Sequence, residues 1–167
     1  MSTLMLYTTK YNTTKLYSGW IALKIDADLY EIDDFDTSDF KLYDTIILGL
    51  PVYMDKIKKL EFLIQNIDKL ENKRVILFTV GAKKNKYIYV DNLERVEKYH
   101  FRGKLNFSEL SIKDKILITS LKQRMISKDI LLDEEREFLD FIKKENDFVE
   151  KKKVEEFLEN FNLVELV

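Results

Sequence analysis

The chain alternates between short apolar runs and stretches with helical spacing through its first hundred residues. Five runs of apolar and β-favouring residues predict strands, at Thr3–Thr8, Asp28–Ile32, Tyr43–Gly49, Arg74–Gly81 and Tyr99–Gly103. Three stretches between them carry apolar residues three or four positions apart and predict helices, at Leu16–Leu23, Ile57–Ile67 and Tyr87–Glu97. This alternation predicts an α/β fold with a doubly wound, five-stranded parallel sheet.

The remaining third of the chain shows helical spacing and no clear strand pattern. Helices are predicted at Ile112–Met125, Leu132–Lys144 and Lys153–Phe161. We therefore expect one domain, 1–167, with a mainly helical excursion at about 105–148. The excursion is either an insertion before a last sheet-covering helix or a helical cap.

Composition narrows the chemistry that the fold can carry. The absence of Cys excludes disulfides, thiolate nucleophiles and Cys-ligated metals, and a single histidine, His100, disfavours His-based triads and metal sites. The net charge of −2 argues against a nucleic-acid binder. We find no signal-peptide pattern and no apolar run long enough to span a membrane, so we expect a cytoplasmic protein without an integral membrane segment.

Charge is nevertheless unevenly distributed along the chain. Eight acidic residues and one lysine between Asp26 and Asp44 give a local charge of −7, and the segment Lys83–Lys104 carries +4. Solvated faces are the simpler interpretation of both. As the alternative, the acidic segment is a docking face for a basic redox partner.

Three predicted strand ends are candidate binding loops, because ligands of open parallel sheets bind outside the carboxyl ends of the strands. In Thr8–Thr14, hydroxyls and a helix start form an anion cradle, with Lys10 adding positive charge, or they are ordinary helix caps. In Leu48–Ile57, Tyr53 either stacks on a flat heteroaromatic ligand or packs into the core. In Phe78–Ala82, Gly81 allows a ligand to approach the backbone closely. The glycines lie too far apart for dinucleotide or P-loop motifs.

Taken in order, the segments Tyr7–Lys15, Tyr43–Tyr53 and Lys73–Gly81 resemble those of flavodoxin-domain proteins. The similarity is greatest to the short branch that includes menaquinone-dependent protoporphyrinogen dehydrogenase, because His100–Leu105 and Leu110–Lys115 resemble the segment that follows its last strand. The resemblance implies a flavodoxin-like sheet in the order 2-1-3-4-5 with a C-terminal helical insertion.

The resemblance also implies a noncovalent FMN site without a catalytic side chain or a metal. The residues implied to hold the phosphate are Thr9, Lys10, Tyr11, Asn12, Thr13 and Thr14. Those implied to flank the isoalloxazine are Leu50, Pro51, Val52 and Tyr53, and those at its other edge are Thr79, Val80 and Gly81. The implied function is electron transfer or flavin-dependent oxidoreduction with a partner protein or a small-molecule acceptor, including an oxidoreductase of the protoporphyrinogen dehydrogenase type.

Two departures from the family pattern support an alternative, an interaction protein of flavodoxin fold that has lost or weakened FMN binding. Asn12 stands where the phosphate loop usually has Gly, although Asn tolerates a left-handed backbone. Met54-Asp55 stands where Gly often follows the loop aromatic, and an inward carboxylate at Asp55 would disfavour an anionic reduced flavin.

Other prominent side chains have structural interpretations. Trp20 is predicted to be in the core with Leu16 and Leu23, and His100 to be structural rather than a proton shuttle. An apolar stripe in the excursion predicts a helix packed on the domain, or contact with a quinone, a porphyrin or a membrane surface; its members are Ile112, Ile116, Leu117, Leu121 and Met125.

Overall fold

The computed structural model describes residues 1–84 and 93–164. It divides into two compact units, one formed by residues 1–103 with the C-terminal segment from Val149 onward, and one formed by Lys104–Phe148. Most of the helix predicted at Tyr87–Glu97 lies outside the described residues. Its described end is not helical, since Glu97 begins a strand.

The first unit is built on a parallel sheet. In chain order, its strands are β1 (Thr3–Tyr7), β2 (Asp28–Glu31), β3 (Thr45–Tyr53), β4 (Lys56–Ile57), β5 (Arg74–Gly81) and β6 (Glu97–Arg102), and the second unit holds β7 (Lys104–Leu105) and β8 (Asn146–Asp147). The parallel strands lie in the order β2-β1-β3-β5-β6, and β4 adds only a short antiparallel hairpin to β3. The predicted order 2-1-3-4-5 of five parallel strands is confirmed.

Helices cover the two faces of this sheet. The α-helices of this unit are α1 (Thr13–Ile25), α2 (Leu60–Asn66) and α5 (Lys152–Asn160), and those of the second unit are α3 (Ile112–Ile126) and α4 (Asp133–Ile142). Alternate residues of each strand point to opposite faces, so Ile46 and Leu48 join one apolar cluster and Ile47 the other. The first cluster includes Leu63 of α2, and the second includes Phe157 of α5. The sheet is therefore doubly wound, as the alternation predicts.

Two sequence expectations in this unit are wrong. Leu16 and Leu23 are exposed on α1, because the buried face of that helix is centred on Tyr17 and Ile21 and includes small polar residues. Trp20 is partly buried against the second cluster. The strand predicted to end at Gly49 continues as β3 to Tyr53, because β5 pairs with Leu50 and Pro51 and the following hairpin pairs with Val52 and Tyr53.

The second unit contains α3 and α4, closed at its ends by a short strand pair. Antiparallel β7 and β8 pair Lys104 with Asp147 and Leu105 with Asn146, whereas the sequence pattern shows no strand in this region. The Asn146 backbone N–H also donates to Asn106 Oδ1 at 3.0 Å. The hydrogen bonds of this pair come from residues without apolar alternation, which explains why periodicity misses it.

The apolar stripe predicted on α3 is divided between two faces. Asp114 and Ile118 are buried and define the inward side, whereas Ile112 and Ile116 are exposed. Of the two interpretations of the stripe, packing of all its residues on the domain is therefore wrong, and contact with a quinone, a porphyrin or a membrane surface stays a prediction.

Candidate functional site

The three candidate loops meet at the carboxyl ends of β1, β3 and β5. Strand register places Tyr7 beside Gly49, and the Thr8 N–H donates to the Gly49 carbonyl at 3.1 Å. A Cβ built on Gly81 would lie 3.2 Å from Val52 Cβ, so the ends of β3 and β5 are in direct proximity. The parallel register thus gathers the three segments that the sequence analysis selects.

The first loop ends in a strained turn that opens α1. Asn12 adopts a left-handed backbone with φ of 65°, and its carbonyl accepts the first helical hydrogen bond, from Leu16 N–H at 3.0 Å. The Asn12 side chain does not cap the helix. The amide N–H groups of residues 13–15 at this helix start therefore have no intrahelical acceptor, and the helix dipole favours an anion there.

One hydroxyl of this loop is withdrawn from water without a partner. Thr9 Oγ1 is buried and makes no hydrogen bond among the described residues. An unpaired buried hydroxyl is destabilising, so such a group in a native structure calls for an explanation. A phosphate oxygen would satisfy it, so Thr9 and the start of α1 fit the phosphate of FMN.

The first and second loops are joined by a cation–π contact. Lys10 Nζ lies 3.5 Å from the centroid of the Tyr53 ring and 5.8 Å from that of Tyr11. Lys58 Nζ lies 5.3 Å from the Tyr53 ring as well. A flat ligand would stack on the face that Lys10 covers only after the lysine moves away.

The second segment is a tight hairpin rather than an extended loop. Met54 and Asp55 form its two-residue turn with φ of 52° and 60°, the positive values of a type I′ turn. Asp55 does not point inward: its side chain is 77% exposed, and Oδ1 accepts from Lys83 Nζ at 3.0 Å. The local charge that a ligand would meet is therefore reduced by this ion pair.

The third segment is held by the single histidine. Thr79 is fully buried in β5, and its Oγ1 lies 2.8 Å from His100 Nδ1 on the neighbouring β6. His100 Nε2 lies 2.8 Å from the Lys83 carbonyl oxygen. Val80 is buried too, and Gly81 ends the strand. Of the residues predicted at this edge, Thr79 thus directs its hydroxyl to His100.

The hydrogen bonds of His100 predict its tautomer. The Lys83 carbonyl can only accept, so Nε2 carries the proton and Nδ1 accepts from the Thr79 hydroxyl. Burial lowers the pKa of His100 below its ordinary 6.5, with the charge of Arg102 acting in the same direction. A lowered pKa means that this group contributes stability above pH 6.5, which is lost as the pH falls through the pKa of the folded protein.

We expect imidazole ¹⁵N and ¹³C spectra to show the Nε2–H tautomer and a pKa below that of His100 in urea-unfolded protein. The assignment is unambiguous because the chain has one histidine. An Nδ1–H tautomer, or a pKa equal to the unfolded value, would contradict the arrangement.

Sequence reasoning expected His100 to be structural but selected neither Lys83 nor Arg102 beside these loops. His100 and Lys83 hold the third segment as described, and the Arg102 guanidinium donates to the Ala82 carbonyl at 3.1 and 3.2 Å. The sequence signal for Lys83 and Arg102 is the positive segment after β5, for which a solvated face is the simpler interpretation.

Neither a metal site nor a membrane-spanning helix is present among the described residues. No group of three His, Cys, Asp or Glu side chains in residues 1–84 and 93–164 is arranged to hold a metal ion. None of the helices in those ranges has the length and apolar character needed to cross a membrane.

Comparison with known proteins gives one family match. The family model described as Flavodoxin domain matches residues 4–129, and no curated protein matches the sequence. Among solved structures, the chain is similar to two-electron reduced Megasphaera elsdenii flavodoxin, with 19% identity, 51% of this chain and 69% of that chain covered, and a TM-score of 0.46. It is also similar to oxidised Bacillus cereus flavodoxin 2, with 19% identity, 60% of this chain and 84% of that chain covered, and a TM-score of 0.43. A flavodoxin from the domain Archaea shows 13% identity, with 93% of this chain and 99% of that chain covered and a TM-score of 0.43.

Proposed function

The chain belongs to the flavodoxin domain family, and from this premise we propose that it binds FMN noncovalently at the carboxyl ends of β1, β3 and β5 and transfers electrons. The assignment to the branch of menaquinone-dependent protoporphyrinogen dehydrogenase stays a prediction. The match covers the flavodoxin domain and specifies neither an electron donor nor an acceptor.

The Thr9 hydroxyl in the loop before α1 carries the proposal. Thr9 Oγ1 is buried and has no hydrogen-bond partner within residues 1–84 and 93–164, and the left-handed turn at Asn12 leads directly into the free amides of the helix start. A phosphate dianion satisfies both features, because its oxygens accept from hydroxyls and amides and its charge is favoured by the helix dipole. Lys10 adds a positive charge to the same loop.

The ring would be held by the second and third segments. Val52 and Tyr53 are partly exposed at the end of β3, whereas Leu50 and Pro51 are buried and position them. Gly81 lies across from Val52, so the ends of β3 and β5 would flank the ring. β3 would contribute the apolar Val52 side chain, and β5 would contribute its last residue, Gly81. Bound FMN supplies the one- and two-electron chemistry, and the protein contributes binding, orientation and charge.

Titration of the purified protein with FMN tests the proposal. We expect saturable quenching of flavin fluorescence, near-stoichiometric flavin retained after gel filtration, and weaker binding of riboflavin, which lacks the phosphate. Failure to retain either flavin would favour the interaction-protein alternative. Equal affinity for FMN and riboflavin would show that the protein does not bind the phosphate of FMN at this site.

The acidic segment supports a basic redox partner for this function. Four of its acids form hydrogen bonds or ion pairs within the protein: Asp28 accepts from Tyr43, Asp33 pairs with Lys59, Asp36 accepts from Ser38 and Asp44 accepts from Ser2. The remaining four have no partner among the described residues and are free to face another molecule, namely Asp26, Glu31, Asp34 and Asp39. A basic partner would be steered to them at low ionic strength.

We expect the triple variant Glu31→Gln, Asp34→Asn, Asp39→Asn to show a shallower salt dependence of electron transfer to a basic carrier such as cytochrome c. Substituting Glu150→Gln, Glu155→Gln and Glu159→Gln, three exposed acids on or next to α5 at the opposite face of the sheet, is the charge-matched control and should leave the slope unchanged. Identical slopes for both variants and the wild type would exclude docking at the segment.

A further inference from the structure

The outer face of α3 is an exposed stripe of isoleucines. Ile112, Ile116 and Ile126 are 79%, 63% and 58% exposed, and Ile130, just beyond the helix, is 81% exposed. At 100° per residue the three helical positions fall within an arc of about 80°, which also contains the exposed Thr119 and Gln123. Since Asp114 and Ile118 are buried on the inward side, this face is turned to solvent and carries three isoleucines, two uncharged polar residues and no charged residue.

Cations border the stripe on both sides. On a helical wheel, Lys113 and Arg124 lie along one edge and Lys115 and Lys122 along the other. None of these four forms an ion pair within residues 1–84 and 93–164, whereas Lys128, which follows the helix, pairs with Glu135. The only acid of α3 is Asp114, which is 2% exposed. The charge that α3 itself presents on this face is therefore purely positive, and the exposed acid next to it along the chain is Asp129, beside Ile130.

We propose that this face of α3 docks on an anionic lipid surface. The isoleucines enter the boundary between headgroups and acyl chains, and the four flanking cations lie at the level of the lipid phosphates. Both features are needed: an apolar stripe without cations would not select anionic lipid, and the cations without the stripe would give only a weak, salt-screened attraction. The proposal is independent of flavin binding.

Charge argues against a second copy of the chain as the occupant. A symmetric dimer through this face would bring the same surface of two chains together, which places lysine and arginine side chains opposite one another. Like charges juxtaposed across an interface oppose association. An anionic lipid surface supplies the missing counter-charge instead.

Cosedimentation of the full chain with vesicles tests the proposal. We expect binding to phosphatidylcholine vesicles that contain phosphatidylglycerol, little binding to phosphatidylcholine alone, and release by salt. The double variant Ile112→Ser, Ile116→Ser should lower partitioning at least about tenfold. Leu23→Ser, which removes a similarly exposed apolar side chain from α1, is the matched control and should leave binding unchanged.

The contribution of charge is tested separately. Lys113→Gln with Arg124→Gln should lower partitioning about fivefold per residue, whereas Lys24→Gln with Lys41→Gln should have little effect. Absence of binding to anionic vesicles, or binding that the isoleucine variant retains, would overturn the proposal. A concentration-dependent dimer in light scattering that the isoleucine variant abolishes would assign the stripe to a second copy of the chain. Thermal unfolding of each variant confirms that the fold is kept.

Discussion

Gly49→Ala is expected to lower the free energy of unfolding by about 2 to 3 kcal/mol. A Cβ at this position in β3 would lie 2.4 Å from Cζ of Phe78 and 2.9 Å from Oγ of Ser18. The Phe78 ring cannot yield easily, because it is fully buried and packs edge-on against Phe101 and Phe157, with centroids 5.3 and 5.8 Å apart. One added methyl group therefore strains both the sheet and the aromatic cluster behind it.

Gly19→Ala is the matched control and should have the opposite effect. Gly19 lies inside α1, and a Cβ built on it meets no atom within 4 Å. Alanine there should stabilise the protein by about 0.5 to 1 kcal/mol through its helix propensity. Urea unfolding with an unchanged m-value measures both effects. A Gly49→Ala midpoint equal to that of the wild type would show that the contact around Phe78 is looser than described.

The sheet could be predicted because its central strands β1, β3 and β5 are buried on both faces. In β3 and β5 nearly every side chain is apolar, and the structure assigns neighbours such as Ile46 and Ile47 to opposite sides of the sheet. Near-continuous apolar runs of this length are typical of strands in a parallel sheet that is covered on both faces. Placing the candidate loops needed only the rule that ligands bind at the carboxyl ends of parallel strands.

Elements held together by polar contacts or backbone strain could not be predicted in the same way. The turn at Met54 and Asp55 has positive φ at two residues other than glycine, so it lacks the Asn-Gly pattern that indicates a hairpin. The inward face of α1 combines Tyr17 with Thr14 and Ser18, which the apolar spacing of Leu16 and Leu23 conceals. Analysis of apolar periodicity predicts which apolar residues are buried, and it detects neither a left-handed turn nor a polar residue on a buried face.

The candidate site also combines features that residue type predicts with features that depend on contacts between strands. Residue type was enough to select the loop around Asn12, since hydroxyls and a helix start suit an anion. Its left-handed backbone, with φ of 65°, agrees with the tolerance expected of asparagine. The bonds from His100 to Thr79 and to the Lys83 carbonyl depend on strand pairing between β5 and β6, which sequence spacing does not contain.

Thr9→Val is expected to weaken FMN binding about tenfold or more while leaving the apoprotein at least as stable as the wild type. Valine keeps the branched shape and removes only the hydroxyl. Because Thr9 Oγ1 has no partner among the described residues, no hydrogen bond is lost on folding, and removal of a buried unsatisfied group is neutral or stabilising. In the complex, the same change removes a donor to a charged phosphate, a stronger class of hydrogen bond.

A control and a second ligand separate the phosphate contact from a general effect. Ser18→Ala removes a second buried hydroxyl that has no partner in the part of the chain that the structure describes. Because Ser18 faces Gly49 and Phe78 in the interior, this change should raise stability and leave FMN affinity unaltered. Riboflavin affinity should be the same for Thr9→Val and the wild type, because riboflavin has no phosphate to accept the bond. If Thr9→Val weakened FMN and riboflavin equally, the loop would act on the ring rather than on the phosphate, and the phosphate assignment would have to move from Thr9.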